Sequence, residues 1–195
     1  FIGLIGLYDP PRVKTIEGIA TCQKAGVNTI MITGDSLLTA KAVARRIGIL
    51  KDGTFAITGG ELSEIDDTEL EQIIEKYTVF ARITPEQKLR IIGALQKCGH
   101  IVTVTGDDIG DADSLAAADV GCAMGDLGAD VAKGNADIIL SNNNFSSIVE
   151  AVKDSRGLFF NIQKSVFYLL ACNFGELLCY LLSLLIFKIP PVSAV

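Results

Sequence analysis

Four aspartates stand within seven residues, directly after an apolar run of the sequence. The run at residues 101–105 is rich in β-branched side chains and predicts a strand. The acids that follow it are Asp107, Asp108, Asp111 and Asp113. In open parallel α/β sheets, ligands bind beyond the carboxyl ends of the strands, so these carboxylates would crowd a binding site. Two carboxylates about 5 Å apart repel by roughly 3 kcal/mol at an effective dielectric constant near 20, and a bound divalent cation such as Mg²⁺ reverses that repulsion.

The same residues also suit a solvated acidic turn. In that interpretation Asp111 or Asp113 caps a helix that starts near Ser114. This segment alone leaves both readings open. A second triplet, Thr33-Gly34-Asp35, repeats the Thr-Gly-Asp of residues 105–107 after another apolar run, at residues 27–32. Each triplet would place a hydroxyl, a flexible backbone and a carboxylate at one sheet edge.

Strand and helix candidates alternate along the first 145 residues. Apolar runs mark the strands, prolines open two of the helices, and Gly26 ends the first one. The predicted strands cover residues 1–7, 27–32, 54–58, 78–82, 101–105, 120–124 and 138–140. The first predicted helix ends near residue 25. The next helices cover residues 38–47, 69–76 and 85–98, and a last helix begins at about residue 146. Such alternation predicts an α/β fold with a parallel, doubly wound sheet.

Composition narrows the class of protein. The net charge of −6 and the absence of clustered Lys and Arg argue against a nucleic-acid partner. Five cysteines, odd in number and without a Cys-x-x-Cys pair, indicate neither a disulfide framework nor a zinc site. A reducing compartment is the simplest interpretation.

Residues 166–187 carry a single charge, Glu176, over 22 positions. A helix of that length is roughly 33 Å long, which spans a hydrocarbon core of about 30 Å and makes membrane lipid a partner. The alternative is a buried helix of a soluble core, which is rarely apolar on every face. Lys153, Arg156 and Lys164 precede the segment and only Lys188 follows it, so the soluble part is predicted to be cytoplasmic.

Five segments match the motifs of one enzyme family in order and spacing. They are Asp-Pro-Pro-Arg at 9–12, Met-Ile-Thr-Gly-Asp at 31–35, Ala-Arg-Ile-Thr-Pro-Glu-Gln-Lys at 81–88, Val-Thr-Gly-Asp at 104–107, and Asp-Val-Gly-Cys-Ala-Met-Gly at 119–125. On these residues the chain resembles the phosphorylation domain of P-type ATPases, in their calcium-pump-like branch. The resemblance implies a haloacid-dehalogenase-like, Rossmann-like doubly wound parallel sheet whose central nucleophile strand is missing here, followed by one transmembrane helix.

The resemblance also implies roles for matching residues. The catalytic group is Thr33, Gly34, Asp35 and Lys88, and the Mg²⁺ group is Asp107 and Asp111. In such pumps Thr33 would contact the transferred phosphoryl group and Lys88 would neutralise its charge. Phosphoryl transfer needs these residue types because it depends mostly on positioning and on cations aimed at developing charge. Without the resemblance, Lys88 would be read as a solvated lysine on a helix face.

The chain departs from the family pattern at three positions after Asp107. Pumps usually read Thr-Gly-Asp-Gly-Val-Asn-Asp-Ala-Pro, where this chain has Asp108, Gly110 and Asp113. The added carboxylate at 108 raises the negative potential where a phosphoryl group should sit.

The Asp-Lys-Thr-Gly-Thr segment that carries the phosphorylated aspartate of these pumps is absent from the sequence. We expect it upstream in a longer protein, together with the domain that binds the substrate ATP, so the chain is predicted to be a fragment. Asp9 is the only substitute nucleophile, but Pro11 stands where a stand-alone phosphatase of this fold places an acid or a threonine.

Within the apolar segment, Asn173, Glu176, Tyr180 and Ser183 share one helix face. Asn173-Phe-Gly-Glu176 resembles the fifth transmembrane helix of calcium-pump-like ATPases, whose Asn and Glu ligate the transported cation, here expected to be Ca²⁺. A protonated Glu176 bonded to a neighbouring helix is the alternative.

The sequence thus predicts a cytoplasmic phosphorylation domain at 1–145, a stalk helix at 146–165, a transmembrane helix at 166–187 and an exit loop at 188–195. The predicted function is part of an ATP-driven cation pump, completed by the missing N-terminal parts and other transmembrane helices. The alternative is a membrane-anchored, non-catalytic regulatory or interaction module, favoured by the substitutions after Asp107.

Overall fold

The computed structural model describes residues 10–125, 130–141 and 145–187. The predicted strand at 1–7, the motif residue Asp9 and the predicted exit loop at 188–195 lie outside the described residues. The chain divides into two compact units, Phe1–Val149 and Glu150–Val195, which are taken separately below.

Helices and parallel strands alternate in the first unit, as the sequence predicts. The helices are α1 (Val13–Lys24), α2 (Leu37–Ile47), α3 (Gly59–Glu64), α4 (Asp67–Ile73), α5 (Pro85–Lys97), α6 (Ala112–Ala117) and α7 (Asp130–Gly134), and α8 (Phe145–Phe187) begins here. The strands are β1 (Met31–Thr33), β2 (Phe55–Thr58), β3 (Tyr77–Ala81), β4 (Thr103–Gly106), β5 (Val120–Met124) and β6 (Ile138–Leu140). Short 3₁₀ turns cover Ile74–Lys76 and Ile109–Asp111. The α/β class is confirmed.

The described strands form two three-stranded parallel sheets, in the orders β1-β3-β2 and β4-β5-β6. The sequence predicts one doubly wound sheet without its central strand. Two sheets result because β1 pairs only with β3, and β4 pairs only with β5, within the part of the chain that the structure describes. Thr33 aligns with Ala81 at the carboxyl end of the first sheet, and Gly106 aligns with Ala123 at the carboxyl end of the second.

Three elements differ from the sequence prediction. The first strand is shorter than residues 27–32, because the Val27 N–H donates to Cys22 O at 2.9 Å and continues the turn that ends α1. Helix α3 replaces a predicted loop and begins with a capping box, in which Thr58 and Glu61 each bond the other's backbone N–H. The third difference is helix α7, where the sequence predicts no helix.

The capping box also changes the acidity of Glu61. Hydrogen bonds from the Thr58 backbone N–H and hydroxyl lower the pKa of Glu61 below its ordinary value. A lowered folded-state pKa means that this cap stabilises α3 above the ordinary Glu pKa and weakens as the pH falls through the lowered value.

Helix α5 is buried on two sides, and this places it between the sheets. Ile91 packs in a cluster that includes Phe80 of β3, whereas the next residue, Ile92, packs with Val104 of β4 and Leu115 of α6. A 3.6-residue helical period turns adjacent side chains about 100° apart, so one helix can serve two cores. The packing of α5 against both cores therefore determines where the side chains at its amino end lie.

No disulfide joins the five cysteines. Cys22 and Cys122 are buried, and burial raises the pKa of the Cys122 thiol.

Helix α8 starts against α1. A Cβ placed on Gly18 would lie 3.0 Å from the Phe145 ring and 3.3 Å from Val149 Cγ2, so the start of α8 packs closely on α1 at this glycine. Ile148 in the first turn of α8 is buried.

In the second unit, α8 continues unbroken, and the helix has 43 residues in all, about 64 Å. The predicted stalk and transmembrane segments thus lie on one helix. Among the described residues it is the one helix long and apolar enough to cross a membrane. Its large apolar side chains from Leu158 to Ile186 are exposed.

Replacing Phe80 by alanine is expected to lower the free energy of unfolding by about 3–5 kcal/mol, because its side chain is fully buried in the cluster against α5. The matched control is Phe55→Ala on the neighbouring strand, where the side chain is 55% exposed and the loss should stay below about 1 kcal/mol. Guanidinium titration of the detergent-solubilised chain, followed by circular dichroism, measures both. Equal losses would contradict the assigned core.

Candidate active site

Lys88 and Asp111 meet at the carboxyl edge of the sheets. Lys88 Nζ lies 2.6 Å from Asp111 Oδ1, and the two side chains are 15% and 23% exposed. Lys88 stands in the first turn of α5, and Asp111 stands at the start of α6 after β4. The pair is therefore a partly buried ion pair between elements of the two cores, and its attraction is screened less than that of a surface pair.

Asp111 is held from a second direction as well. The backbone N–H of Asp107 donates to Asp111 Oδ2 at 3.3 Å. Gly106 leaves space for this carboxylate, because a Cβ at that position would lie 2.6 Å from Asp111 Cβ and 2.7 Å from its Oδ2. The glycine of this Thr-Gly-Asp triplet is thus required by the close approach of Asp111.

The acids after Asp107 differ in what they do. Asp111 occupies the N-cap position of α6 but makes no side-chain cap, so the predicted capping role for it is not found. Asp108 instead accepts a hydrogen bond from the Ile109 N–H at 2.7 Å and caps the 3₁₀ turn. Asp113 is exposed in the first turn of α6. The acidic cluster is therefore partly a capping structure and partly an ion-pair site.

The other triplet is tied to the loop that leads into α5. Thr33 Oγ1 accepts a hydrogen bond from the Asp35 N–H at 3.1 Å. The Arg82 N–H donates to Asp35 O at 3.1 Å, and the Ile83 N–H donates to Thr33 O at 3.2 Å. Arg82 has a φ of 53°, the one positive value at a non-glycine residue in the described ranges. This left-handed backbone turns the chain from β3 back across the end of β1.

Lys88 is presented by a capped helix start. Thr84 caps α5 by accepting from the Gln87 N–H at 3.3 Å, and Gln87 Oε1 accepts from the Thr84 N–H at 3.1 Å. Pro85 occupies the first turn, where its missing N–H is harmless. Gln87 Nε2 also donates to Gly59 O at 2.7 Å and to Ser63 Oγ at 2.8 Å.

The structure brings the predicted site residues together only in part. Lys88 contacts Asp111, Asp111 contacts the Asp107 backbone, and Thr33 contacts Asp35. Within the described residues no hydrogen bond or ion pair joins the Thr33 side chain to Lys88 or Asp107. Gly34 and Asp35 are exposed. Asn173 and Glu176 lie three residues apart on α8 and are exposed in the second unit.

Asp107 and Asp111 fit the chemistry of a Mg²⁺ ligand pair. The Asp107 carboxylate is exposed and has no hydrogen bond or ion pair within the part of the chain that is described. No group of three or more His, Cys, Asp or Glu side chains suited to a metal occurs there either. Mg²⁺ commonly uses one or two carboxylates and completes its shell with water and phosphate oxygens, so two acids are sufficient.

A cavity of about 640 Å³ lies elsewhere. It opens at the amino end of β2, where Phe55 lines it, on the opposite edge from Thr33. Two of the cationic side chains that line it have local partners. Arg45 is in the last turn of α2, where it faces the negative end of the helix dipole, and the Lys51 ammonium bonds to Gln23 Oε1.

Comparisons with known proteins identify the class to which these residues belong. A profile of the haloacid dehalogenase-like hydrolases matches residues 1–119. The chain belongs to this hydrolase family. The fold class predicted from the sequence motifs is thereby confirmed.

Its most similar relatives are cation pumps. Calcium-transporting ATPase 1 of Bacillus cereus is 50% identical over 186 residues, which are 95% of this chain and 21% of that protein. Sodium/potassium-transporting ATPase subunit alpha-4 of Homo sapiens is 38% identical over 212 residues, again 95% of this chain and 21% of that protein. The resemblance to calcium-pump-like P-type ATPases is confirmed, and the chain spans about a fifth of the length of these relatives.

A solved structure is also similar to this chain. The catalytic domain of the CPx-ATPase CopB-B has a TM-score of 0.56 and 27% identity to this chain, and the match covers 75% of this chain and 47% of that one. The chain therefore corresponds to one segment of the P-type cation-transporting ATPases.

Four residues that position the site receive no role from the motifs: Gly59, Ser63, Arg82 and Gln87. Arg82 and Gln87 lie within the matched segment at 81–88, whereas Gly59 and Ser63 lie outside every matched segment. A sequence signal exists for one of them, because Thr84-Pro-Glu-Gln87 has the spacing of a capping box. The contacts of Gly59 and Ser63 with Gln87 join residues at least 24 apart in the chain, and local pattern cannot show them.

A double-mutant cycle on Lys88→Met and Asp111→Asn is expected to give a coupling energy of roughly 1 kcal/mol, because the pair is partly buried and hydrogen-bonded. The control cycle uses Lys97→Met and Glu71→Gln. The Lys97 side chain is 63% exposed, so this cycle should give about half that coupling energy or less. Denaturant unfolding at low and high salt measures both. Coupling near zero for the first pair would contradict the contact.

Proposed function

We propose that this chain is the phosphoryl-handling and membrane-coupling part of an ATP-driven calcium pump. In the whole pump, ATP phosphorylates an aspartate with the help of Mg²⁺, and hydrolysis of that aspartyl phosphate is coupled to ion transport. The observation that carries this proposal is the Lys88–Asp111 pair at the carboxyl edge of two parallel sheets. The site there combines a fixed cation with acids, as phosphoryl transfer requires.

Thr33 and Lys88 would bind the transferred phosphoryl group. The Thr33 oxygen already accepts the Asp35 N–H, so its own O–H proton remains available for a phosphoryl oxygen. Lys88 carries three N–H donors, and its bond to Asp111 uses one of them. Gly34 and Asp35 complete the turn that aims the Thr33 hydroxyl.

Asp107 and Asp111 would hold Mg²⁺ beside the phosphoryl oxygens. When bound, the ion supplies positive charge against the charge that develops on those oxygens. The free, exposed Asp107 carboxylate supports this assignment. Asp111, already paired with Lys88, would adjoin the ion and link it to that lysine.

The open edges of β1 and β4 support a position for the phosphorylated aspartate. Each strand pairs on one side only among the described residues, and an unpaired edge is a template for another strand. We propose that a strand of the whole pump, carrying the Asp-Lys-Thr-Gly-Thr segment, pairs with these edges. The nucleotide-binding part would likewise belong to the whole pump.

Residues 166–187 of α8 would cross the membrane, with residues 146–165 as the stalk and residues 1–145 in the cytoplasm. A charged side chain at mid-bilayer costs roughly 2.5–3.5 kcal/mol on the insertion scale, so Glu176 is retained against a cost and marks a functional site. Asn173 supplies a neutral oxygen one turn away. Hard oxygen ligands suit Ca²⁺, and the remaining ligands would come from other transmembrane helices.

The competing function is a membrane-anchored, non-catalytic module. Asp108 is the specific observation in its favour, since it places a carboxylate where these pumps carry glycine. In the structure that carboxylate accepts a hydrogen bond from the Ile109 N–H, so part of its negative charge is compensated within the local turn. The geometry therefore favours a catalytic site that accommodates Asp108.

The ion assignment is tested in the complete pump by Glu176→Gln. This variant should lose calcium-stimulated phosphorylation by ATP yet remain inserted in the membrane, because it removes one charged oxygen ligand without changing side-chain size. The matched control is Glu150→Gln, an exposed acid on the same helix outside the apolar segment. Calcium-stimulated phosphorylation that persists in Glu176→Gln would remove Glu176 from the transport site. A wild-type protein that forms no phosphoenzyme would favour the non-catalytic module.

The magnesium assignment is tested on this chain by calorimetry. Because the shell is incomplete, we expect weak, roughly millimolar Mg²⁺ binding that Asp107→Asn abolishes. Asp52→Asn, at the opposite sheet edge, should bind as the wild type does. Equal binding by Asp107→Asn and wild type would place any cation elsewhere.

A further inference from the structure

Helix α5 is fastened to α3 by two side chains that flank Lys88. Gln87 Nε2 donates to Gly59 O at 2.7 Å and to Ser63 Oγ at 2.8 Å. Arg90 NH1 donates to Leu62 O at 2.8 Å, and Arg90 NH2 donates to Ile65 O. Four bonds therefore run from α5 to α3 and to the residue that follows it.

The Gln87 amide uses both of its donors and one of the two lone pairs of its oxygen. Both N–H groups donate toward α3, and Oε1 accepts the Thr84 N–H at 3.1 Å. One side chain thus joins the start of α5 to α3. A partly buried donor that loses its acceptors costs more than the bond contributes, so these bonds disfavour a shift of α5 relative to α3.

The α3 side of this junction is tightly packed at Gly59. A Cβ on Gly59 would lie 2.5 Å from Gln87 Oε1 and would collide with Arg82 O. Gly59 is buried, and Arg82 is the residue with left-handed backbone whose N–H binds Asp35. The contact therefore connects α5 with the loop that holds the Thr33 triplet.

We propose that Gln87 is a positioning residue for phosphoryl transfer, acting with Arg90 to fix the rotation of α5 so that Lys88 faces Asp111. This inference rests on the proposed function. Gln87 and Arg90 are three residues apart and share a helix face, whereas Lys88 lies about 100° around the helix from Gln87. Catalytic groups need placement within about 0.5 Å, so a small rotation of α5 moves Lys88 out of range.

The carboxyl end of α5 makes a contact that serves as a control for the junction at Gln87. Lys97 Nζ bonds to Glu71 Oε1 at 2.7 Å and ties α5 to α4. Lys97 lies nine residues beyond Lys88, about 13 Å along the helix, and its side chain is 63% exposed. Breaking it removes a bond between helices without touching the junction at Gln87.

The decisive variant is Gln87→Glu. It keeps the size of the side chain and an oxygen that can accept the Thr84 N–H, so the capping box survives. It replaces the donor that faces Gly59 O by a carboxylate oxygen, which repels that carbonyl. When the new carboxyl group is protonated at lower pH, its O–H can donate to Gly59 O again.

The experiment measures phosphoenzyme formation from ATP in membranes that contain the complete pump. At pH 7.5 we expect Gln87→Glu to form phosphoenzyme at least tenfold more slowly than wild type, with an unchanged KM for ATP. As the pH falls from 7.5 toward the pKa of the introduced carboxyl group, the ratio to wild type should rise severalfold. Gln87→Ala should show the loss without the recovery, Ser63→Ala a loss of about twofold, and Lys97→Gln no loss.

Wild-type rates in Gln87→Glu, or a loss that does not recover at lower pH, would overturn the positioning role. A thermal midpoint of Gln87→Glu that falls as far as that of Gln87→Ala would also overturn it, because the loss would then be structural. A wild-type protein that forms no phosphoenzyme would instead refute the proposed function, and the positioning role with it.

Discussion

The structure depends on the burial of α5 in two cores. Ile91 packs toward β3 and Ile92 packs toward β4 and α6, so the helix is held between two sheets that share no hydrogen-bonded ladder in the described residues. Apolar packing is not directional, and by itself it would leave the helix free to rotate slightly. The polar contacts at the amino end of α5 are directional, and they lie next to Lys88.

Loop geometry extends the same constraint to the rest of the site. The left-handed backbone of Arg82 lets the chain turn from β3 toward α5 while its N–H binds Asp35. Holding a non-glycine residue there costs of order 1 kcal/mol, which the surrounding contacts of a folded domain must offset. The loop after β3 thus helps to place the triplet Thr33-Gly34-Asp35, whereas the triplet at 105–107 needs its own Gly106 to admit the Asp111 carboxylate.

Much of this arrangement follows from the sequence, and the remainder has a physical cause. Periodicity and capping signals locate β5, β6 and α5 within a residue, and motif order identifies Lys88 and Asp111 before their contact is seen. Helix α3 escapes prediction because Gly59 and Gly60 are poor helix formers, and packing against Gln87 overrides that preference. The division into two sheets depends on strand pairing between distant residues, which local pattern cannot reveal.

The first turns of α8 pack closely on α1. A methyl group added at position 18 would lie 3.0 Å from the Phe145 ring and 3.3 Å from Val149 Cγ2, so these side chains would have to move by a few tenths of an ångström to admit it. The size of residue 18 therefore sets how closely α1 and the start of α8 can approach.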